Sequence, residues 1–343
     1  MTGPPLLACS DARANNETEM KTITLEEHFV SPGFLNGPGK AFTEQIRSRG
    51  PAGVRIYDQL QNVGEARIAE MDAAGIDMQV LSLNAPGLEQ TDPADQIVLA
   101  AEANDFVAEA IKTHPTRFSA FAALPTATPD KAAEELERRV RQDAFKGANI
   151  NGHTRGRYLD DLFFSPILEC AEVLNVPVYL HPTIPPKAVC DASYSGFSPP
   201  VSAMFASAAW GWHIETATHL IRMVLGGVFD RYPKLQVIVG HLGEGIPFML
   251  PRLERNLPQT LTTLERPTGS YFRENVHYTF GGFNFPHTFQ NLLQEVGAGR
   301  ILFSIDYPYG SMVEARAFLD RLPVTEPDRL AIAYRNAEAL FDL

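Results

Sequence analysis

The chain has 343 residues, with 29 Lys and Arg against 41 Asp and Glu, so its formal net charge is −12. That acidic excess argues against a nucleic-acid binder, which needs basic side chains to neutralise phosphates. A hydrophobic fraction of 45% with 20% charged residues excludes a disordered chain or a fibre. The length fits either two domains of about 150 residues or one α/β barrel, so domain count has to come from pattern. Cys9, Cys170 and Cys190 form no close pair, which rules out a disulfide scaffold and any CxxC motif and favours a reducing, cytoplasmic compartment. No apolar run approaches the roughly 20 residues that cross a bilayer.

In chain order, the first doubtful segment is the N-terminus. Leu6, Leu7, Ala8 and Cys9 resemble a lipoprotein cleavage box, but only eight residues precede Cys9 and none is basic. An export signal needs a basic start and a longer apolar segment. Residues 1–19 therefore read as a disordered extension, and a single domain is expected over 20–343. Strands are predicted at 22–28, 78–83, 118–124, 147–151, 178–181, 237–241, 276–279 and 301–306. Helices are predicted between and after them at 64–74, 93–112, 129–141, 162–175, 214–224, 245–256, 288–296, 312–321 and 326–341. Asp92-Pro93 and Thr128-Pro129 mark two helix starts, each a capping residue followed by proline at the first helical position.

Eight short apolar strands separated by helices call for parallel pairing with both faces covered. The economical solution is a closed (β/α)8 TIM barrel. The competing open doubly wound sheet normally carries a glycine-rich first turn for a nucleotide, and here the first strand ends in Glu26-Glu27-His28. Residues 183–212, rich in proline and aromatics, are too long for an ordinary strand-to-helix loop. They read as an inserted loop after strand five, serving as a lid or a subunit contact.

Barrel enzymes build their sites at the C-terminal ends of the strands, and four of the predicted strands end in ligating residues. These are Glu26 and His28 on the first, His181 on the fifth, His241 on the sixth and Asp306 on the eighth. Positions i and i+2 share a strand face, so Glu26 and His28 can point together while Glu27 points away. Glu26, His28, His181 and Asp306 form a mixed carboxylate and imidazole set suited to one divalent metal, with zinc and manganese both plausible. A lone strand-end histidine is more often a hydrogen-bonded structural group, but four ligating groups at matched ends are a different matter. His114, His153, His213, His219, His277 and His287 have no matched partner and take the structural reading, with His219 and Glu215 expected to pair along one helix face.

Seven segments carry a resemblance: LEEHF at 25–29, NG at 151–152, YLHP at 179–182, ETATH at 215–219, GGVFDRYP at 226–233, GHLGEGIPFMLPRLE at 240–254 and FSIDYPY at 303–309. Together they make the chain, from about residue 20 to its end, similar to the amidohydrolase superfamily. Within it, the chain resembles the metal-dependent nonoxidative aromatic acid decarboxylases typified by the γ-resorcylate (2,6-dihydroxybenzoate) and 2,3-dihydroxybenzoate enzymes. The resemblance implies Glu26, His28, His181 and Asp306 as metal ligands, His241 and Glu244 as a catalytic pair beside the metal, and Asn151, Arg252 and Tyr309 as substrate-lining residues. Asp306 would double as the acid that protonates the ring, and Arg252 would tether Glu244 or the substrate. The resemblance further implies one divalent ion and no organic cofactor, an aromatic carboxylate as the small-molecule partner, and a homodimer or homotetramer. Tyr309 stands where the resorcylate enzymes carry Phe, and 190–212 departs from their sequence, so the ring substitution pattern of the substrate stays open. Hydrolysis of a lactone or amide on the same scaffold is the alternative activity.

Overall fold

The computed structural model describes residues 20–343, so the expected extension over 1–19 lies outside the described residues. Among the described residues nine strands occur: β1 (Ile23–Phe29), β2 (Met78–Leu83), β3 (Phe118–Ala120), β4 (Ala122–Ala123), β5 (Ala148–Asn151), β6 (Val178–His181), β7 (Val237–Val239), β8 (Val276–Thr279) and β9 (Ile301–Leu302). All ladder pairs are parallel, in two sheets of order β1-β2-β3 and β4-β5-β6-β7-β8-β9. The predicted strand over 118–124 is divided at Phe121, where the backbone changes neighbours. Phe121 N donates to Leu81 O of β2 at 2.9 Å, whereas Ala122 N donates to Gly147 O, just before β5, at 2.8 Å. At the far edges Leu25 N donates to Phe303 O at 3.3 Å, and Leu25 forms an isolated parallel bridge with Ser304.

Side chains alternate across these strands as the two-residue period requires. Ile23, Leu25, Val80, Phe121, Tyr179, Ile238 and Leu302 form one buried inner cluster. Their neighbours Leu81, Ala148, Ile150, Val178, Leu180, Val237 and Val239 belong to the larger outer core that packs beneath the helices. β1 departs from strict alternation. Its register runs Leu25 against Val80 and then Glu27 against Leu81, leaving Glu26 as an extra residue with φ 67°. This bulge lets Leu25 and Glu26 both face inward and sends Glu27 outward. Without it, the parity set by Ile23 and Leu25 would turn Glu27 to the inner face.

Every predicted helix is present within a few residues at its ends, although the run at 326–341 contains a π-helical turn over Ala331–Arg335. Three short helices after β1, Pro32–Asn36, Lys40–Arg47 and Pro51–Gln61, were not expected, nor were Gln259–Thr262 and Thr268–Glu274. Pro93 and Pro129 do open their helices, but Asp92 and Thr128 make no capping bond. Asp92 instead pairs with Arg155 at 3.0 Å. Between β6 and the helix Gly211–Leu225 the chain forms two short helices, Lys187–Ser193 and Pro199–Ala206. No helix among the described residues is long and apolar enough to cross a membrane.

Candidate active site

The C-terminal ends of β1, β6, β7 and β9 bring together Glu26, His28, His181, His241 and Asp306. Glu26, His241, Glu244 and Asp306 all adopt left-handed backbone, with φ between 51° and 67°. Non-glycine residues enter that region at a cost of about 1–3 kcal/mol each, and such residues cluster where side chains must be aimed. Glycines make the room. A Cβ on Gly240 or Gly281 would lie 2.5 or 2.6 Å from a carboxylate oxygen of Glu26, and one on Gly282 would lie 3.0 Å from Asp306 Oδ2.

His28 Nε2 lies 3.2 Å from Asp306 Oδ1, and the His28 and His181 rings meet edge to face at 4.8 Å. Glu26 Oε2 accepts a hydrogen bond from Thr279 Oγ1 at 3.0 Å. Its other oxygen, Oε1, is buried with no hydrogen-bond partner and faces His241 Nε2 at 3.7 Å and His181 Nε2 at 3.9 Å. His181 Nδ1 is 2.8 Å from Pro182 O, which makes it the donor and leaves Nε2 with a free lone pair. Burial holds His28 down at about 3, helped by Arg67 and His241, and holds His181 well below the ordinary imidazole value. Burial pushes the Glu26 and Asp306 carboxyls up to about 7, against the opposing pull of His241. Two neutral imidazoles, two crowded carboxyls and one orphaned carboxylate oxygen are the donor set that a divalent cation satisfies, with His241 adjoining it.

His241 is held from behind. Its Nδ1 is 2.7 Å from Glu244 Oε1, and His213 Nδ1 is 2.6 Å from Glu244 Oε2. Burial alone would lower His241, but the Glu244 and Glu26 carboxylates outweigh it and lift the imidazole to about 10. Glu244 lies below its ordinary value because its two histidines outweigh its burial. The expectation that His213 has no matched partner is thereby corrected. Its partner is 31 residues away, and only the packing of the helix Gly211–Leu225 against the turn at His241–Gly243 reveals the contact. His213, His241 and Glu244 also offer ligand atoms within 4.8 Å of one another.

The other expected residues fall in different places. Asn151, at the end of β5, donates its backbone N–H to Glu89 Oε1 at 2.7 Å, and its buried Oδ1 has no partner. Glu89, which carried no signal in the sequence, is buried and pushed up to about 7 by that burial. The Tyr309 ring lies 5.8 Å from that of His28, and its hydroxyl donates to Asn84 Oδ1 at 2.9 Å. Arg252 is not brought to the cluster. It sits on the exposed side of the helix Ile246–Asn256, and the oxygens of Glu244 that it was expected to tether are taken by His241 and His213. Glu215 and His219 do not pair with each other either. Glu215 accepts from Tyr158 Oη at 2.5 Å and His219 Nε2 accepts from Leu159 N at 2.8 Å, so both fasten the loop after β5.

The chain is similar to known proteins over most of its length. It is 36% identical to a γ-resorcylate decarboxylase of Polaromonas sp. (strain JS666) over 340 residues, covering 94% of this chain and 98% of that protein. Among solved structures, a 2,6-dihydroxybenzoate decarboxylase complexed with 2,6-dihydroxybenzoate superposes with a TM-score of 0.85 at 35% identity, covering 94% of this chain and 100% of that one. A 5-carboxyvanillate decarboxylase of Novosphingobium aromaticivorans, complexed with manganese and 4-hydroxy-3-methoxy-5-nitrobenzoic acid, superposes at 0.87 with 30% identity, covering 95% and 97%. The amidohydrolase family profile matches residues 40–343. With this match over most of its length, the chain belongs to the amidohydrolase family.

Proposed function

We propose that this chain is a nonoxidative aromatic acid decarboxylase, a carbon-carbon lyase that converts a hydroxybenzoate to the phenol and carbon dioxide. The observation that carries the reading is the strand-end cluster, in a chain whose curated relatives with matching length are decarboxylases. Those relatives disfavour the hydrolytic alternative. The eight predicted strands correspond to a single (β/α)8 barrel over 20–343. The inner cluster drawn from several strands and the Leu25–Ser304 bridge between the outermost strands support that reading.

Glu26, His28, His181 and Asp306 would hold one divalent cation, for which manganese in the carboxyvanillate enzyme is the precedent. When bound, the cation supplies Lewis-acid attraction for the substrate's carboxylate and adjacent phenolate oxygen in a protein of net charge −12. Asp306 carries the reaction's proton. Its Oδ1 lies 3.2 Å from His28 Nε2 and its Oδ2 lies 3.9 Å from His241 Nε2. Burial raises Asp306 in the metal-free protein, whereas a bound cation would favour its carboxylate, so the proton it delivers would come from the substrate phenol. The proton passes from Oδ2 to the ring carbon bearing the carboxylate. The bond to that carboxylate breaks, its electron pair restores the aromatic ring, carbon dioxide leaves and Asp306 is left ionised. The phenol of the next substrate resets it, and the product phenolate takes a proton from water as it leaves as the phenol. His241, held by Glu244, presents Nε2 to the same space and orients the acid and the substrate oxygens. Asn151 and Tyr309 line the ring, Tyr309 adding a hydroxyl fixed to Asn84. The exposed apolar side chains Phe197, Val201, Met204 and Trp210 on 183–212, with Phe248 beyond it, support the reading of this face as a subunit contact in a homo-oligomer.

The deciding experiment measures carbon dioxide release and phenol formation from purified protein given 2,6-dihydroxybenzoate, 2,3-dihydroxybenzoate and salicylate. Release that stops on chelation and returns with manganese or zinc is expected. Manganese-loaded protein that releases nothing from any of them but opens a lactone would overturn the assignment.

A further inference from the structure

Glu244, which holds His241, is itself held from a second side. Glu244 is fully buried, and each of its oxygens faces an imidazole Nδ1, that of His241 at 2.7 Å and that of His213 at 2.6 Å. A carboxylate only accepts, so both Nδ1 atoms are protonated and donate. His213 is in turn held from the segment before it. Its Nε2 lies 3.1 Å from Trp212 Nε1, a donor, and 3.0 Å from Ala208 O, an acceptor. Its ring meets the His241 ring at 4.7 Å and Phe283 at 5.2 Å, so it has little room to rotate. One continuous chain of contacts therefore runs from residues 208–212, through His213 and Glu244, to the Nε2 of His241 that faces Glu26 and Asp306.

We infer that His213 is a positioning residue for the decarboxylation, holding Glu244 so that Glu244 holds His241 in the orientation the site uses. The inference rests on the function proposed above. Without the His213 donor, Glu244 Oε2 would be a buried carboxylate oxygen with nothing to accept from, in a turn whose backbone is already left-handed. The carboxylate would rotate or admit water, and the bond that sets His241 would loosen. The three groups are within reach of one cation. Both oxygens of Glu244 and both Nδ1 protons are nevertheless satisfied by one another, and this favours a hydrogen-bonded chain over a ligand set. Groups that stand behind the reacting residues in this way are worth about 10- to 100-fold in activity.

The test compares His213→Ala with His213→Asn, whose amide N–H can replace the Nδ1 donor. In manganese-loaded protein, H213A is expected to lower kcat by about 10- to 100-fold with KM and metal content within about twofold, and H213N to recover kcat to within about threefold. A second readout is independent of turnover. In the metal-free protein, proton NMR follows the strongly deshielded Nδ1 protons bonded to Glu244. H213N should remove the His213 signal and keep that of His241, whereas H213A should remove or broaden both. Equal activity in H213A and wild type, equal damage in H213A and H213N, or an unmoved His241 proton in H213A would each overturn the inference. If the wild type decarboxylates nothing, the proposed function fails, and the NMR comparison still decides whether His213 holds the pair.

Discussion

Glu26 and Glu27 are adjacent in sequence, equally buried, and both raised above the ordinary carboxyl value by that burial, yet their surroundings differ in kind. Glu27, on the outer face of β1, accepts from the backbone N–H groups of Ile305 at 3.0 Å and Tyr307 at 3.3 Å and from Gln79 Nε2 at 3.4 Å. Behind it Arg67 bonds Gln79 and the carbonyl of His28, with its guanidinium over the Tyr307 ring. Glu26, on the inner face, has one hydroxyl donor and one orphaned oxygen aimed at two imidazoles. The outer glutamate is fully satisfied and braces the loop that carries Asp306. The inner one is left open, which a fold tolerates only where something else supplies the missing partner.

Substitutions should separate the two faces. The largest effect is expected at the reacting group. Asp306→Asn should lower kcat by about 10²- to 10⁴-fold while the protein stays folded, and substantial retained turnover would remove Asp306 from its role. Glu27→Ala should cost about 1–3 kcal/mol of stability in denaturant titration, because it leaves the buried backbone donors of Ile305 and Tyr307 without their acceptor. Glu26→Gln should invert that pattern. Its metal-free stability should be equal to or above wild type, while manganese affinity measured by calorimetry falls by at least about 100-fold, more than loss of a group behind a ligand would cause.

The pH dependence of the metal-free protein follows from the same carboxyls. Glu26, Asp306 and Glu27 keep their protons up to about 7, 7 and 8 in the folded chain, against 4.5, 3.8 and 4.5 when unfolded. The folded state binds more protons across that window, so stability falls as pH rises through it. The buried His28, His181, His219 and His277, all lowered, act in the opposite sense only below 6.5. The Tm in chelator should therefore drop between pH 6.5 and 8, and a rise would contradict the assignment. The smallest effect is expected from Tyr309→Phe, which removes one hydrogen bond to Asn84, worth about 1 kcal/mol. It should appear as a stability loss of no more than that and as a shift in relative kcat/KM among hydroxybenzoates.

How much of this was legible in the sequence depends on how far apart the partners lie. The strands and long helices announce themselves by local period, and Met78–Leu83, Val178–His181 and Val276–Thr279 match their expected bounds. The strand-end residues were legible because parallel strands present their C-terminal ends on one side. The bulge at Glu26 was not, since one extra residue leaves no mark in composition. The breaks at Phe121 and within 301–306 come from strands changing neighbours, a property of the sheet rather than of the segment. Pro32–Asn36 and Lys40–Arg47 are short and set off by Gly37, Gly39 and Gly50, so little hydrophobic period had length to develop in them. His213 was invisible because its meaning comes from Glu244, and the exposed position of Arg252 on its helix was not legible because a resemblance in sequence carries no information about which side of a helix faces the site.

The central claim, that strand ends of β1, β6 and β9 converge on one cation, is tested most directly by locating manganese. In crystals of the manganese-loaded protein, anomalous scattering should give one peak bounded by Glu26, His28, His181 and Asp306. A peak among His213, His241 and Glu244 instead, or none in protein that turns over, would contradict the account.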